Sequence, residues 1–385
     1  GGVLPMEISK YSSARQIARS LLAVSTNLLR YKVSTCSSKL LFSFLEKEKD
    51  MIQQFDPFQS HNIKGFSSES NFDESVNKKI VYHYTSPKAF LSILENKQVW
   101  FTDVRYMNDK SEGKFIVKLL VEFIEKHYND YPNFCNATNE LLKGNNFEDL
   151  KDMREENIKY TDISGLKYIA QRHFLFCLST GPDLLNMWNY YVYNNTYQGY
   201  NIGFNPVSFL KSFDVDIKDN KINSFSVNYG QIIYDYKKQE DEIMHFAAKL
   251  EEIFNKKNNA LGYMMIEIRN YIETQGYFYK SKAFEAENEF RVMITIADKR
   301  VPTQKKDAQK YSGIHNKKIC ENVCIKNGLI VPYLSVEFPV EAIKRVTMSP
   351  ITETEITKSG IKEFFRINNI PTSIPVYQSK IPIRY

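Results

Sequence analysis

Two short strings of unlike chemistry stand about two hundred residues apart in this 385-residue chain. Tyr82-His83-Tyr84-Thr85 ends an apolar run, and Glu287-Asn288-Glu289-Phe290-Arg291 feeds into Val292-Met293-Ile294-Thr295-Ile296. Side chains alternate along a strand, so Glu287 and Glu289 point to one side if the strand begins that early. Two carboxylates on one side repel, and at least one must be solvated, paired or protonated. Arg291 continues the alternation and is the candidate partner. A carboxylate so placed can hold a ribose 2′-hydroxyl and stabilise the positive charge that grows as a glycosidic bond breaks. The bland alternative is an exposed Glu/Glu/Arg ladder on a solvent face.

His83 carries the same ambiguity. It is a satisfied core or edge histidine, or a ring nitrogen offered, with Tyr84 and Thr85, to a sugar and an amide. It calls for no metal, because no second ligand sits at helical or hairpin spacing. Trp188, Tyr190 and Tyr191 within Asn186–Tyr191 are either plain core or a stacking wall for a flat heterocycle. Arg105, directly after a strand, is suited to a pyrophosphate by bidentate contacts, or to a loop-anchoring ion pair with Asp103 or Asp109. The chain has no Gly-rich dinucleotide fingerprint, no phosphate-binding Gly-x4-Gly-Lys loop and no Gly-x-Ser-x-Gly elbow.

The elements that must position these residues follow from periodicity. Ile80 to Tyr84 reads as a strand and Pro87 to Asn96 as a helix starting after Ser86. Val99 to Thr102 is a strand, and Ser111 to Tyr128 a longer helix. Residues 129–165 read as a polar insertion with one or two helices. Phe174 to Leu178 is a buried strand that ends at Ser179-Thr180-Gly181. Leu184 to Tyr191 is helical; Tyr200 to Phe204 and Phe225 to Tyr234 are strands. Helices at 237–256 and 261–280 precede strand 290–296. Ala342 to Met348, Glu353 to Asn368 and Ile374 to Tyr377 close the chain as strand, helix and strand. Strands and helices mix without strict βα alternation, which favours α+β with a mixed, split sheet over a doubly wound one. Upstream, residues 1–52 form a small N-terminal helical region, with Ile17, Leu21, Leu22, Leu40, Leu41, Phe44 and Leu45 at helical spacing, and residues 53–78 read as a linker. The main domain is 79–385.

Hydrophobic residues make up 43% and aromatics 14%, with 25 Tyr and 26 Phe, the composition of an ordered globular protein. A net charge of +6 is compatible with nucleic-acid binding without demanding it. Five cysteines without framework spacing indicate a reducing, cytoplasmic setting. His315, Cys320 and Cys324 lack the second pair that a zinc site needs, so no metal is expected. Gly1 to Pro5 precede the first Met and look like an expression scar or an upstream extension. The Ser- and Arg-containing stretch after them is read as packed helix rather than transit peptide.

The strings occur in a specific order: Tyr-His-Tyr-Thr-Ser, then Arg105-Tyr-Met-Asn-Asp with Ser111-Glu-Gly, then an apolar strand ending in Ser179. Met187-Trp-x-Tyr-Tyr, Gly199-Tyr-Asn-Ile-Gly-Phe204, Lys282 and Phe284 before Glu-x-Glu-Phe-Arg, and Ser379-Lys-Ile-Pro-Ile-Arg384 follow. Over residues 79–385 this order resembles the bacterial domain-of-unknown-function family 2971. That family in turn resembles the ADP-ribosyltransferase superfold of the His-Tyr-Glu type, in which NAD lies in the cleft of a split sheet. The resemblance implies that His83 binds the nicotinamide ribose and that Trp188, Tyr190 or Tyr191 stacks on nicotinamide. It implies that Glu289 holds the ribose 2′-hydroxyl and that Glu287 orients the acceptor; Tyr84, Thr85, Arg105, Ser179 and Arg291 would line the NAD site. The expected activity is transfer of ADP-ribose from NAD to a nucleic acid or protein, by an intracellular toxin or phage-defence effector. The other readings are an NAD glycohydrolase and a non-catalytic nucleotide- or nucleic-acid-binding module. The N-terminal helices would dock an inhibitor or assembly subunit.

Overall fold

A computed structural model describes residues 63–66, 80–107, 114–144, 171–192, 198–206, 208, 225–256, 261–297, 319–326, 328–352 and 354–383. The expected N-terminal helices and most of the 129–165 insertion lie outside these residues. Eleven strands form one mixed, open sheet. They are β1 (Ile63–Phe66), β2 (Val81–Thr85), β3 (Gln98–Asp103), β4 (Gln171–Ser179), β5 (Tyr200–Phe204), β6 (Phe225–Gln231), β7 (Glu289–Ala297), β8 (Ile319–Lys326), β9 (Leu329–Glu337), β10 (Ile343–Met348) and β11 (Val376–Gln378). The path runs β1-β6-β7-β4-β2-β5-β10-β11, and only β10 and β11 are parallel. The helices are α1 (Pro87–Asn96), α2 (Lys114–His127), α3 (Pro132–Gly144), α4 (Leu185–Tyr190), α5 (Tyr236–Lys256), α6 (Leu261–Gln275) and α7 (Thr354–Ile367). The α+β class with a mixed sheet is as the sequence indicates.

The sheet forks at β4. One edge of β4 is paired with β7 along its whole length, Gln171 to Ser179. The other edge is shared: Phe174 and Leu175 pair with β3, and Ser179 pairs with Tyr82 of β2. Residues 176–178 therefore face the gap between two diverging branches. A backbone carbonyl there can take a donor from a side chain. The carbonyl of Cys177 lies 3.3 Å from Nδ1 of His83. Because a carbonyl only accepts, this contact fixes the Nδ1–H tautomer.

Two cores flank the sheet. On one face, α2, α3, α5 and α6 pack Leu120, Phe123, Phe134, Phe246 and Ile268 against Leu175 and Met293. On the other, Phe90 of α1 and Phe365 of α7 cover Phe176, Leu178, Val292 and Ile294. The alternation of β4 and β7 sorts their side chains between these two cores. A third, small cluster joins Tyr82 and Tyr84 to Met187, Trp188 and Val192 around α4. α1 shows why the sequence placed it well: Ser86 caps Ala89 N–H, Pro87 opens the helix, and Lys97 ends it in the left-handed region at φ 52°.

Several elements depart from expectation: the helix expected over 261–280 ends at Gln275, and Gly276–Phe278 form a 3-10 turn. Ile63–Phe66, inside the expected linker, forms β1 and pairs with β6. The β8–β9 hairpin had no counterpart in the periodicity. Pro332 stands within the second of its strands, and β3 ends its pairing with β9 at Tyr333, one residue short of it, so the side of β9 facing β3 asks no donor of the proline.

Candidate functional site

The two acids converge by a route the alternation argument did not supply. Glu287 is not in the strand; it ends a 3-10 turn, Lys282–Glu287, whose first residues are capped by Ser281. Asn288 then takes a left-handed conformation at φ 46°, which a short amide side chain tolerates. That kink turns both carboxylates onto one ammonium. Lys280 Nζ donates to Glu287 Oε2 at 2.7 Å and to Glu289 Oε2 at 3.2 Å. Arg291 grips Glu289 with two bonds, Nε to Oε1 at 2.7 Å and Nη2 to Oε2 at 2.9 Å. It also donates to the Tyr277 carbonyl at 2.7 Å. The partner inferred from alternation is thus the real one, and the solvent-face ladder is excluded because all four side chains are buried.

β4 holds this turn in place. Ser179 Oγ donates to the Glu287 carbonyl at 2.7 Å, and Thr180 N–H donates to the Asn288 carbonyl at 2.8 Å. The Tyr234 hydroxyl accepts from Glu289 N–H at 3.0 Å. With its formal charges, the Glu287, Glu289, Lys280, Arg291 cluster is neutral. Burial pushes the Glu289 carboxyl upward, but Arg291 and Lys280, helped by the Cys177 thiol, outweigh it and hold it below the usual range. Glu287 goes the other way: burial raises it, and Lys280 only partly offsets this. One acid is thereby kept ionised while its neighbour is biased toward holding a proton.

Tyr191 completes the group. The residue is 42% exposed, and the charges of Glu287 and Glu289 reach its phenol. Burial first, then the charges of Glu287 and Glu289, raise its pKa. A partly exposed aromatic ring beside the buried acids offers a wall against which a planar group can lie.

The remaining expected residues are elsewhere. Side chains paired across an antiparallel ladder share a face. Glu289 pairs with Ser179, and Ser179 with Tyr82, so His83 projects from the opposite face. Its ring lies against Phe176 at 4.8 Å, and burial lowers its pKa to about 4. It does not join the acids. Trp188 is fully buried, with Nε1–H on Asp183 at 2.7 Å, so no ligand can stack on it. Tyr84 spans the turn after β4, donating to the Gly181 carbonyl at 2.8 Å and accepting from Leu184 N–H at 3.0 Å. Thr85 is buried opposite Tyr200. Arg105 forms the anticipated anchoring pair with Asp103, Nε to Oδ1 at 3.0 Å and Nη2 to Oδ2 at 2.8 Å. Tyr190 is exposed on α4. Asp183 also receives Ser379 Oγ at 2.7 Å and Lys380 N–H at 2.8 Å, which ties the C-terminal motif to α4.

Lys280, Tyr234 and Cys177 were not foreseen. Lys280 stands in an ordinary Tyr-Lys-Ser-Lys run, and only the 3-10 turn that follows makes it the hub of the two acids.

Residues 187–292 match the model of a family described as protein of unknown function (DUF2971). The match begins in α4 and ends in β7. It includes Tyr191, Tyr234, Lys280, Glu287, Glu289 and Arg291, and it supports the family resemblance read from the motifs. No curated protein and no solved structure matches the chain. Among the described residues, no helix is long and apolar enough to cross a membrane.

Proposed function

We propose that this protein is an NAD-cleaving ADP-ribosyltransferase of the cytoplasm, a toxin or phage-defence effector that modifies a macromolecule. The observation that carries the reading is the buried Glu289, kept ionised by Arg291 and Lys280 beside the half-open ring of Tyr191. In such a step the bond from the ribose anomeric carbon to the nicotinamide nitrogen breaks, and its electron pair leaves with nicotinamide. Positive charge grows on the anomeric carbon and ring oxygen. A fixed carboxylate in an enclosed site stabilises that charge without reorganising. An acceptor oxygen or nitrogen then bonds to the anomeric carbon and gives up its proton. Glu287, with its raised affinity for protons, is the group suited to take it. Tyr191 is the candidate ring for nicotinamide. His83 has no part in this scheme; it closes the fork in the sheet.

The test is incubation with adenylate-labelled NAD and a mixture of RNA, DNA and protein, wild type beside Glu289→Gln. Label on one fraction, lowered about a hundred- to a thousandfold in the variant, is the expected result. Retained transfer by a folded Glu289→Gln protein would remove this glutamate from the mechanism. Free nicotinamide without labelled acceptor would make the protein a glycohydrolase, and neither product would overturn the reading.

A further inference from the structure

Arg345 differs from the other arginines of the described residues. Arg105, Arg172, Arg269, Arg291 and Arg366 each hold a carboxylate. Arg345 holds none. Its guanidinium lies over the Tyr377 ring at 4.1 Å and 5.8 Å from the centre of Tyr82. The guanidinium donates to Thr347 Oγ1 at 3.3 Å and interacts with the Tyr82 hydroxyl, while Nε is enclosed with no acceptor, so its only partners among the described residues are neutral. The floor beneath it is Gly203, where an added Cβ would stand 2.7 Å from Arg345 Cγ and 3.1 Å from Tyr82 Cε1. The side chain lies flat across β5 because that position has no side chain. A half-buried guanidinium on an aromatic ring, without an anion, is a fork of donors awaiting one.

We propose that Arg345 binds a phosphodiester of a single-stranded polynucleotide, with Tyr377 as the ring on which a neighbouring base stacks. Tyr377 is 45% exposed, so it keeps surface for a base while Arg345 covers part of it. Phosphate-gripping arginines beside open aromatic rings are the general means of holding single strands. Register adds the distance. Glu289, Ser179, Tyr82, Gly203 and Arg345 form one cross-strand row on one face of the sheet. Four strand spacings of about 4.8 Å separate its ends by about 19 Å. That is a backbone spacing and Arg345 leans back across β5, so binding of ADP or pyrophosphate, tested below, is what separates an NAD diphosphate from a polynucleotide phosphate. The assignment of Glu289 rests on the function proposed above; the phosphate site itself does not.

The experiment is direct binding of a fluorescent single-stranded oligonucleotide to the full chain across a salt series, with no NAD present. Arg345→Ala should weaken binding at least tenfold and flatten the log–log salt slope by about 0.7, the loss of one phosphate contact. Arg345→Lys should restore the slope but not the full affinity, because the charge returns without the fork. Tyr377→Ala should weaken binding with the slope unchanged. Equal affinity and slope in wild type and a folded Arg345→Ala protein would overturn the proposal. So would Arg345-dependent binding of ADP or inorganic pyrophosphate with none of the oligonucleotide. Arg345-dependent oligonucleotide binding by a protein that fails to cleave NAD would uphold this site and overturn the enzymatic reading instead.

Discussion

Replacing Lys280 with Met should give the protein a steeper loss of stability with rising pH than the wild type shows. Lys280 Nζ touches both Glu287 and Glu289, so the bonded oxygens stand no more than about 6 Å apart. Arg291 is already committed to Glu289 by two bonds. Without the ammonium, two like charges about 6 Å apart repel by about 3 kcal/mol at an effective dielectric of 20. Protonating a glutamate at pH 7 from its ordinary value of 4.5 costs about 3.4 kcal/mol. The two energies are comparable, and burial already favours the proton on Glu287, so the pair escapes by taking one up. The folded variant then holds a proton that its unfolded chain lacks. Stability must therefore fall as pH rises, by about 1.4 kcal/mol per unit. Glu287 of the wild type is raised too, but Lys280 partly offsets this, so the variant keeps its proton to higher pH and the gap widens as pH rises. Urea unfolding of wild type and Lys280→Met at pH 6, 7 and 8 reads this directly, with a gap of about 3 kcal/mol at pH 7. Adding Glu287→Gln to the variant should abolish the slope. A gap that stays constant with pH would refute the reasoning, since no proton would have been taken up.

Tyr84→Phe should lose about 2–4 kcal/mol in thermal or urea unfolding, because the Gly181 carbonyl and the Leu184 N–H both lose their partner. A loss within 0.5 kcal/mol, about the size of an ordinary surface change, would mean that water replaces the phenol. Glu267 is fully buried on α6, neither carboxyl oxygen has a hydrogen-bond partner, and burial pushes its pKa up to about 8. Its raised folded pKa favours the protonated fold, so stability is complete below the unfolded chain's value of 4.5 and is lost as pH rises through about 8. Glu267→Met should therefore match wild type in melting temperature near pH 4.5 and exceed it increasingly toward pH 8; parallel melting curves across that range would contradict the burial argument.

Much of the fold is written in local periodicity. α1 and β5 lie where the spacing of apolar residues puts them, and β7 begins one residue before its expected start. Short-range signals suffice there: a Ser-Pro start, an apolar run, a turn. β1 was hidden in a polar stretch because an edge strand needs little apolar surface of its own once β6 supplies the ladder. β8 and β9 were hidden for a related reason. Their exposed ends carry Val323, Ile325, Leu329 and Ile330 beyond the buried part of the sheet, so the pattern of burial does not follow a simple alternation. The Arg105 pair with Asp103 was legible because its partners are two residues apart.

The sequence by itself determined that Glu289 and Arg291 share a side, since residues two apart on a strand must do so. The 3-10 turn before them, with Asn288 in the left-handed kink, came only with the structure. Only the tertiary structure decided which face that side is, and who else is on it. Lys280, Tyr234 and Cys177 reach the acids from three separate stretches of the chain, with Tyr191 near them, and His83 is sent to the other face by one register, Tyr82 opposite Ser179. A shift of one residue in that pairing would reverse every side chain of β2. Alternation is a property of each strand alone, whereas register is a property of two strands together, and no single strand carries it.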